Sequence, residues 1–277
     1  MKKTIFLLFL IIAIGCSEDD QSEANGDPAA TTFPDKAFFG DVVLITQDDV
    51  DLFGQENYTV VNGDLRIKSQ IPGPVNPRVV DLSPLIALKE VKGDLEITGY
   101  MNNLEGLNNL ENVEGRINGF RLVGPELQNV DALSSLVSIG GHLTILGVEN
   151  LQNINGLSNL NSVFGCRFTG IRFNDFSPLE MESIREFIIA QSNFNGSLTF
   201  HPGLTSFNTF EIRSCSSVTN LDFLENISIM IRFNALYNGS LTDFCGIRQT
   251  LPLAGYSVEG NAFNPTQTQI LNGDCSL

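Results

Sequence analysis

Side chains that could carry out catalysis are few and scattered along this sequence. It contains 2 histidines and 5 cysteines, and no two cysteines form a CxxC pair. HExxH, GxSxG, Walker A and dinucleotide-binding patterns, which would hold a metal, a nucleophile or a phosphate, do not occur. His142 alternates outward in a repeat and His201 precedes a proline, so we expect a surface residue and a loop residue. The sequence predicts no metal site and no cofactor.

Carboxylates are the one abundant reactive group, with 32 Asp and Glu against 16 Lys and Arg. Pairs of carboxylates hydrolyse glycosidic bonds, so a glycan-degrading enzyme is an alternative. Asp48, Asp49 and Asp51 lack the EF-hand spacing for calcium and fit the charged start of a helix better. The net charge of −16 argues against nucleic acid as a partner, because a chain this acidic repels phosphate.

Cys16 has a different chemistry, because it follows an export-type leader. Lys2 and Lys3 precede an uncharged apolar run over 5–14, which is too short to span a bilayer. The residues AIGC that end at Cys16 resemble the lipobox cut by lipoprotein signal peptidase. The resemblance implies a signal peptide over 1–15 and a diacylglycerol on the Cys16 thiol, which anchors the chain to a membrane. An ordinary secretory signal with a chance cysteine is the alternative.

The segment 16–37 is polar, small and proline-containing, which predicts a flexible acidic tether. Directly after the cysteine comes the run Ser17, Glu18, Asp19 and Asp20. This run resembles the acidic tag that sends lipoproteins of some Gram-negative bacteria to the outer face of the outer membrane. The resemblance implies a lipid-anchored protein that faces the cell exterior.

The remaining segment, 38–277, is predicted to be one domain built from a repeat. Segments that begin at Leu82, Leu104, Val130 and Ile154 align without gaps over most of their length. Each has apolar residues three apart, then a glycine, then apolar residues two apart. A spacing of three drifts around an α-helix and therefore predicts a tight turn, whereas a spacing of two predicts a short strand.

The glycine between turn and strand recurs through the repeats, and we expect it to adopt a positive φ at the corner. These glycines are Gly63, Gly93, Gly115, Gly140 and Gly165. One unit cannot bury its own apolar face, so successive units must stack. The sequence therefore predicts a mainly β solenoid or parallel β-helix with turns of ~22–26 residues.

Both ends of the repeat look like caps. The stretch from Thr46 to Gly54 predicts a short N-terminal helix, with Thr46 as the N-cap and Gly54 at its end. Residues 243–277 are predicted to cap the other end. Cys245 and Cys275 flank this second cap in a compartment that permits disulfides, and we expect them to pair.

Cys166 and Cys215 are predicted to lie two turns apart. Two rungs separate strands by ~9–10 Å, which exceeds the ~7 Å limit between the Cα atoms of a disulfide. We therefore expect two free, buried thiols.

Asparagines precede several of the ladders of apolar residues, at Asn103, Asn129, Asn153 and Asn220. We expect these asparagines to bond local backbone and to form a ladder that satisfies buried corner amides; a row of ligand contacts is the alternative.

Phenylalanines replace leucines in the second half of the sequence, and they are predicted to lie in the core. Beyond residue 166 the repeat pattern weakens, and the number of turns stays open.

The domain resembles the receptor L-domain family. The resemblance rests on TQDDVDLFG and NYTVVNGDLRI near the start, on repeats such as ALSSLVSIGGHLTI, and on the closing GNAFNPTQTQILNGDC. It covers roughly residues 40–277 and implies a right-handed β-helix with leucine-rich-repeat-like turns. In animal receptors such domains bind extracellular proteins. The matched positions belong to the scaffold, so the resemblance assigns no ligand-binding residue.

Together these features predict a surface-anchored lipoprotein that is not an enzyme and that binds an extracellular protein or glycan. Trp is absent and Tyr numbers 4, which tilts the choice of ligand toward protein. The alternatives are a glycan-degrading β-helix enzyme and a purely structural envelope protein. Clusters of outward acids and arginines on adjacent turns would favour the enzyme, and scattered charges would not.

Overall fold

The structure is a computed structural model that describes residues 33–69, 78–194 and 196–277. The predicted signal peptide, the lipidation site Cys16 and the export tag over 17–20 lie outside these ranges. The helices are α1 (Gln47–Gln55) and α2 (Gln267–Asn272). The strands are β1 (Ala37–Phe39), β2 (Val42–Leu44), β3 (Val60–Asn62), β4 (Leu65–Lys68), β5 (Glu90–Val91), β6 (Leu95–Thr98), β7 (Asn112–Val113), β8 (Phe120–Val123), β9 (Ser138–Leu146), β10 (Ser162–Thr169), β11 (Asp175–Phe176), β12 (Ser183–Ala190), β13 (Thr199–Phe200), β14 (Ser206–Arg213), β15 (Ile229–Leu236) and β16 (Gly255–Glu259).

A single parallel sheet dominates the described part of the chain. It contains 14 strands, and β11 and β13 form a separate parallel pair. Up to β8 each turn contributes two short strands, whereas β9, β10 and β12 are continuous strands of 9, 8 and 8 residues. The predicted mainly β fold with parallel pairing between successive turns is confirmed, and the arrangement is consistent with a β-solenoid.

The pairing register gives the length of each turn. Phe187 pairs with Phe210, a step of 23 residues. Cys166 pairs with Phe187, a step of 21, and Leu65 pairs with Leu95, a step of 30. The expected range of ~22–26 residues is therefore too narrow at these two turns. After residue 166 the register continues through β12, β14, β15 and β16 without a break.

Tight turns carry the residues spaced three apart, as predicted. They are 3₁₀ helices over Ser83–Leu85, Asp131–Leu133, Asn155–Leu157, Asp222–Leu224 and Cys245–Thr250. A 3₁₀ helix has three residues per turn, so every third side chain points the same way. Leu133 and Leu157 are 1% and 0% exposed, while Ser134 and Ser158 between the apolar positions are exposed.

The prediction of positive φ at the repeated glycines is wrong. None of the five adopts it, and the reason for glycine there is space between adjacent turns. A Cβ atom on Gly93 would lie 2.3 Å from the Asp64 carboxylate, and one on Gly140 would lie 2.6 Å from the Glu114 carbonyl oxygen. Real Cβ atoms do not approach so closely, so the stacked corners exclude any side chain.

An aspartate ladder satisfies the amides at this corner. The backbone N–H of Asp64 donates to Asp41 Oδ1 at 2.9 Å, and that of Asp94 donates to Asp64 Oδ1 at 2.9 Å. Gly119 N–H continues the row by donating to Asp94 Oδ1 at 3.0 Å. Each carboxylate thus accepts from a backbone N–H of the next turn, so these exposed and partly buried donors have a partner within the protein.

The asparagines before the apolar ladders bond locally, as predicted. Each Oδ1 accepts from the backbone N–H two residues ahead, at 3.0 to 3.4 Å. The expected ladder of these asparagines between turns is wrong, because every bond stays within its own turn. Their side chains lie at or near the surface and each stabilises the start of a tight turn.

A buried ladder of asparagines does exist, at a position that the sequence repeat does not mark. Asn238 is fully buried; its Oδ1 accepts from Cys215 N–H at 3.0 Å and its Nδ2 donates to the Ile212 carbonyl at 3.1 Å. Asn261 takes the equivalent place one turn later: its Oδ1 accepts from Asn238 N–H at 3.0 Å and its Nδ2 donates to the Ala235 carbonyl at 2.8 Å. A step of 23 residues relates the two asparagines.

The N-terminal helix begins as predicted. Thr46 is the N-cap of α1 and forms a capping box with Asp49, so the acidic run stabilises a helix start. The helix does not end at Gly54, however, but at Gln55. Glycine is required at position 54 because a Cβ atom there would lie 2.4 Å from Pro84 of the next turn.

Phenylalanines fill the second half of the core, as predicted. The rings of Phe187, Phe210 and Phe233 stack in successive turns with centroids 6.0 and 6.3 Å apart. Most phenylalanines at these inward positions are fully buried, and Phe223 packs against the core from a partly buried position. The row of aromatic rings continues the inward column that leucines occupy in the first half.

The cysteines pair as predicted. Cys245 and Cys275 form a disulfide with Cα atoms 5.0 Å apart, while Cys166 and Cys215 are free and buried. Cys166 lies in β10, and Cys215 follows the end of β14. Because β12 lies between these two strands, the two thiols are two rungs apart.

We expect reduction of the disulfide to lower the free energy of unfolding by about 3–4 kcal/mol, because the bond closes a long loop in the unfolded chain. The two cysteines are 30 residues apart in sequence. Urea unfolding with and without a reductant measures the effect. The double variant Cys245→Ala with Cys275→Ala should match the reduced protein and should not respond to the reductant. An unchanged urea midpoint on reduction would contradict the prediction.

One outward residue has a structural role that its exposure conceals. Asn159 Nδ2 donates to the Ser134 carbonyl of the preceding turn at 2.7 Å. We therefore expect Asn159→Ala to cost about 1 kcal/mol, the usual net contribution of one hydrogen bond. Ser158→Ala, at the exposed neighbouring position, should leave the urea midpoint unchanged. Equal midpoints for the two variants would show that the Asn159 bond contributes nothing.

Candidate binding surface

The outward side chains of β4, β6 and β8 form a continuous face across three turns. Arg66, Glu96 and Arg121 lie in register on neighbouring strands, and their side chains are only partly buried. The alternate residues, such as Leu65 and Ile67, are fully buried in the core. The spacing of two that buries leucines thus also aligns polar side chains on the outer surface.

A single carboxylate at the centre of this face serves two cations. Glu96 Oε1 lies 2.6 Å from the Arg121 guanidinium, and Glu96 Oε2 lies 3.2 Å from Lys68 Nζ. The Glu96 side chain is 24% exposed, whereas those of Lys68 and Arg121 are 42% and 35% exposed. The cations therefore reach further into solvent than the carboxylate that they share.

A groove of about 620 Å³ opens beside these charges. Its lining includes Lys68, Glu96 and Arg121 together with Tyr100. The guanidinium of Arg78 lies 5.3 Å from the centroid of the Tyr100 ring, in cation–π contact. The groove therefore combines an aromatic ring, two lining cations and one carboxylate.

Two hydroxyl groups of the groove have no hydrogen-bond partner among the described residues. They are Ser69 Oγ and Thr98 Oγ1, both buried. Ser69 is 5% exposed and lies beside Gly99 on the neighbouring turn. Most buried polar groups in folded proteins have a partner, so two orphan hydroxyls in one groove are unusual.

A second concavity, of about 720 Å³, lies at the glycine corner. Within it Lys92 Nζ contacts Glu90 Oε1 at 2.5 Å and Glu114 Oε1 at 2.8 Å. The hydrogen bond to Glu114 raises the pKa of Lys92, and the same bond lowers the pKa of Glu114. A glycosidase needs a general acid whose pKa is raised, whereas the pKa of Glu114 is lowered.

His142 is buried, which corrects the expectation of a surface residue. It is 8% exposed, and its Nε2 lies 3.1 Å from Glu186 Oε1. The residue facing it on the next turn is Gly165, which leaves the imidazole room to lie against the sheet. Burial lowers the pKa of His142, and the Arg167 charge acts in the same direction, so the ring is neutral at pH 7.

The other residues considered from sequence do not converge on a site. His201 lies in a loop, as expected. Burial raises the pKa of Cys166 to about 12 and that of Cys215 to about 11, so neither thiol is a nucleophile at pH 7. Asp243 lies beside Cys245 and Cys275, whose sulfur atoms are bonded to each other and not available to a metal.

The groove has no signature in the sequence because its residues are far apart along the chain. Lys68, Glu96 and Arg121 fall on three turns of unequal length, so no fixed spacing marks them. Among the described residues, no helix has the length and apolar character that crossing a bilayer requires. No known protein family, curated protein or solved structure matches the chain.

Proposed function

We propose that this chain is a lipid-anchored lipoprotein of the outer membrane that is displayed on the cell exterior. It acts as a non-enzymatic binding or adhesion module for an extracellular protein or glycan. The leader, the AIGC run ending at Cys16 and the acidic tag over 17–20 support the anchoring and the export. The groove beside Tyr100 supports the binding function, since some of the polar groups that line it make no hydrogen bond to the described part of the fold.

The handedness of the solenoid is part of the same proposal. We infer a right-handed solenoid related to the receptor L-domain family. Crossover connections between parallel strands are right-handed in about 98% of cases, which favours that hand for this chain. The turn lengths and the corner between two short strands per turn are in keeping with the family resemblance of the sequence.

The observation that carries the binding function is the shared carboxylate. Glu96 contacts Lys68 and Arg121, which together carry eight N–H donors, five on the guanidinium and three on the ammonium. One carboxylate cannot accept from all eight, and the remaining donors lie in a groove large enough for a ligand. Beside them lie two buried hydroxyls that have no partner among the described residues, which is uncommon on a purely structural surface.

A glycan-degrading enzyme is the second candidate, because charges do cluster on adjacent turns. Glu90 and Glu114 both contact Lys92 and are therefore close enough together for a pair of glycosidase carboxylates. The lowered pKa of Glu114 argues against it as a general acid. We expect Glu90→Gln with Glu114→Gln to leave ligand binding unchanged.

An array of extracellular glycans and proteins tests the proposed function. The full protein, purified in detergent, should be retained by members of one class and should release them intact. Retention without cleavage supports a binding module. Cleavage of a retained glycan would establish the enzyme instead, and no retention by either class would refute the binding function.

A further inference from the structure

The groove beside Tyr100 has the size of a site for a small ligand. Its volume is about 620 Å³, within the range of ~300–1,000 Å³ typical of such sites. Stable protein partners instead cover ~800 Å² of surface on each side. The absence of Trp tilts the sequence toward a protein ligand, but here one of the 4 tyrosines lines a concave site.

The charge of the groove opposes that of the protein. The chain has a net charge of −16, yet Lys68 and Arg121 line the groove against the single carboxylate of Glu96. Arg78 adds a third cation through its contact with Tyr100. The groove is therefore a local positive site on an acidic molecule, and a negatively charged ligand fits it.

The remaining polar groups fit a ligand that carries hydroxyl groups. Glu96 can accept from a ligand hydroxyl with the lone pairs that its two cations leave free. Ser69 Oγ and Thr98 Oγ1, which have no partner in the part of the chain that the structure describes, can donate and accept after rotation about χ1. An acidic peptide would satisfy the cations but would bring few donors for Glu96 and for these hydroxyls.

We propose that this groove binds a carboxylated saccharide, such as an oligosaccharide of uronic acids. The ligand carboxylate lies against Lys68 and Arg121, its hydroxyls bond to Glu96, Ser69 and Thr98, and a sugar ring packs on Tyr100. The inference rests on the proposed binding function and specifies the class of ligand. It does not depend on how the protein is anchored.

Isothermal titration of the full protein in detergent with trigalacturonic acid tests the proposal. The methyl ester of the same oligosaccharide is the matched control, because it keeps the size and hydroxyls but loses the charge. We expect the acid to bind at least tenfold more tightly than the ester. The double variant Lys68→Gln with Arg121→Gln should lose at least tenfold in affinity for the acid.

Arg213→Gln is the control for the loss of charge. Arg213 is an outward residue of the same sheet, paired with Glu211 at 3.5 Å, and its replacement should leave the affinity unchanged. All variants should keep the wild-type urea midpoint, since exposed ion pairs contribute little to stability. If the double variant fails to fold, Tyr100→Ala replaces it and should also lose the acid.

If the saccharide binds, three results would still overturn the proposal. They are equal affinity for acid and ester, full affinity in the double variant, and binding of an aspartate hexapeptide as tightly as the saccharide. Absence of saccharide binding, with retention of another ligand on the array, would refute the groove assignment alone. Absence of both would refute the proposed function as well.

Discussion

Replacing Leu133 with Asp is expected to lower the free energy of unfolding by about 5 kcal/mol or more. Truncation of a buried leucine alone costs about 2–5 kcal/mol, and burial of an unpaired carboxylate adds to that cost. Leu133 is 1% exposed and lies in the core between neighbouring turns. Because each turn packs only on its neighbours, we expect the turns on both sides to unfold with it.

Ser134→Asp is the matched control, since it introduces the same charge at the next residue. Ser134 is exposed, and its hydrogen bonds are made by its backbone: its N–H donates to the Asp131 carbonyl and its carbonyl accepts from Asn159. Surface substitutions of this kind change stability by about 0.5 kcal/mol or less. Urea unfolding followed by circular dichroism measures both variants. Similar losses in the two would refute the assignment of inward and outward positions.

Replacing Asn238 with Leu is expected to cost about 3–5 kcal/mol, although the side chains are similar in size. The change leaves Cys215 N–H without its acceptor and also removes the bonds that Asn238 Nδ2 donates to the Ile212 carbonyl and to Asn261 Oδ1. Each buried polar group that loses its partner costs about 1–3 kcal/mol. The loss should appear as a lower urea midpoint, with the two turns beside Asn238 the first to exchange their amide hydrogens.

Asn220→Leu separates this effect from the loss of an asparagine in general. Asn220 lies in the preceding turn and makes one local bond, accepting from Asp222 N–H at 3.2 Å. We expect a cost of about 1 kcal/mol, as for other turn-capping residues. Equal costs for the two asparagines would show that the buried ladder is not a main source of stability.

The sequence is sufficient to predict most of the apolar side chains that face the core, because periods of three and two translate directly into 3₁₀ turns and strands. It could not reveal why glycines recur at Gly93 and Gly140. A glycine that needs a positive φ and one that needs space look the same in one sequence. The contact between turns that decides the matter depends on register, which the sequence does not state.

Residues that act across turns were the hardest to predict. The buried ladder of Asn238 and Asn261 follows a step of 23 residues, but the asparagines that the repeat marks in the sequence are the exposed ones. Alternation predicts an outward His142, and its burial depends on Gly165 of the next turn. The groove likewise depends on three turns of unequal length, so its residues share no visible motif.

The proposed function requires that the protein is anchored through Cys16 and faces the cell exterior. Protease shaving of intact cells tests this requirement, with a periplasmic protein as the control for leakage. We expect the unmodified protein to be cut on intact cells. The variant Cys16→Ala should not be lipidated, whereas replacing Glu18, Asp19 and Asp20 with Ala should preserve lipidation but protect the protein until lysis. Resistance of the unmodified protein on intact cells, with cleavage after lysis, would contradict the proposed function.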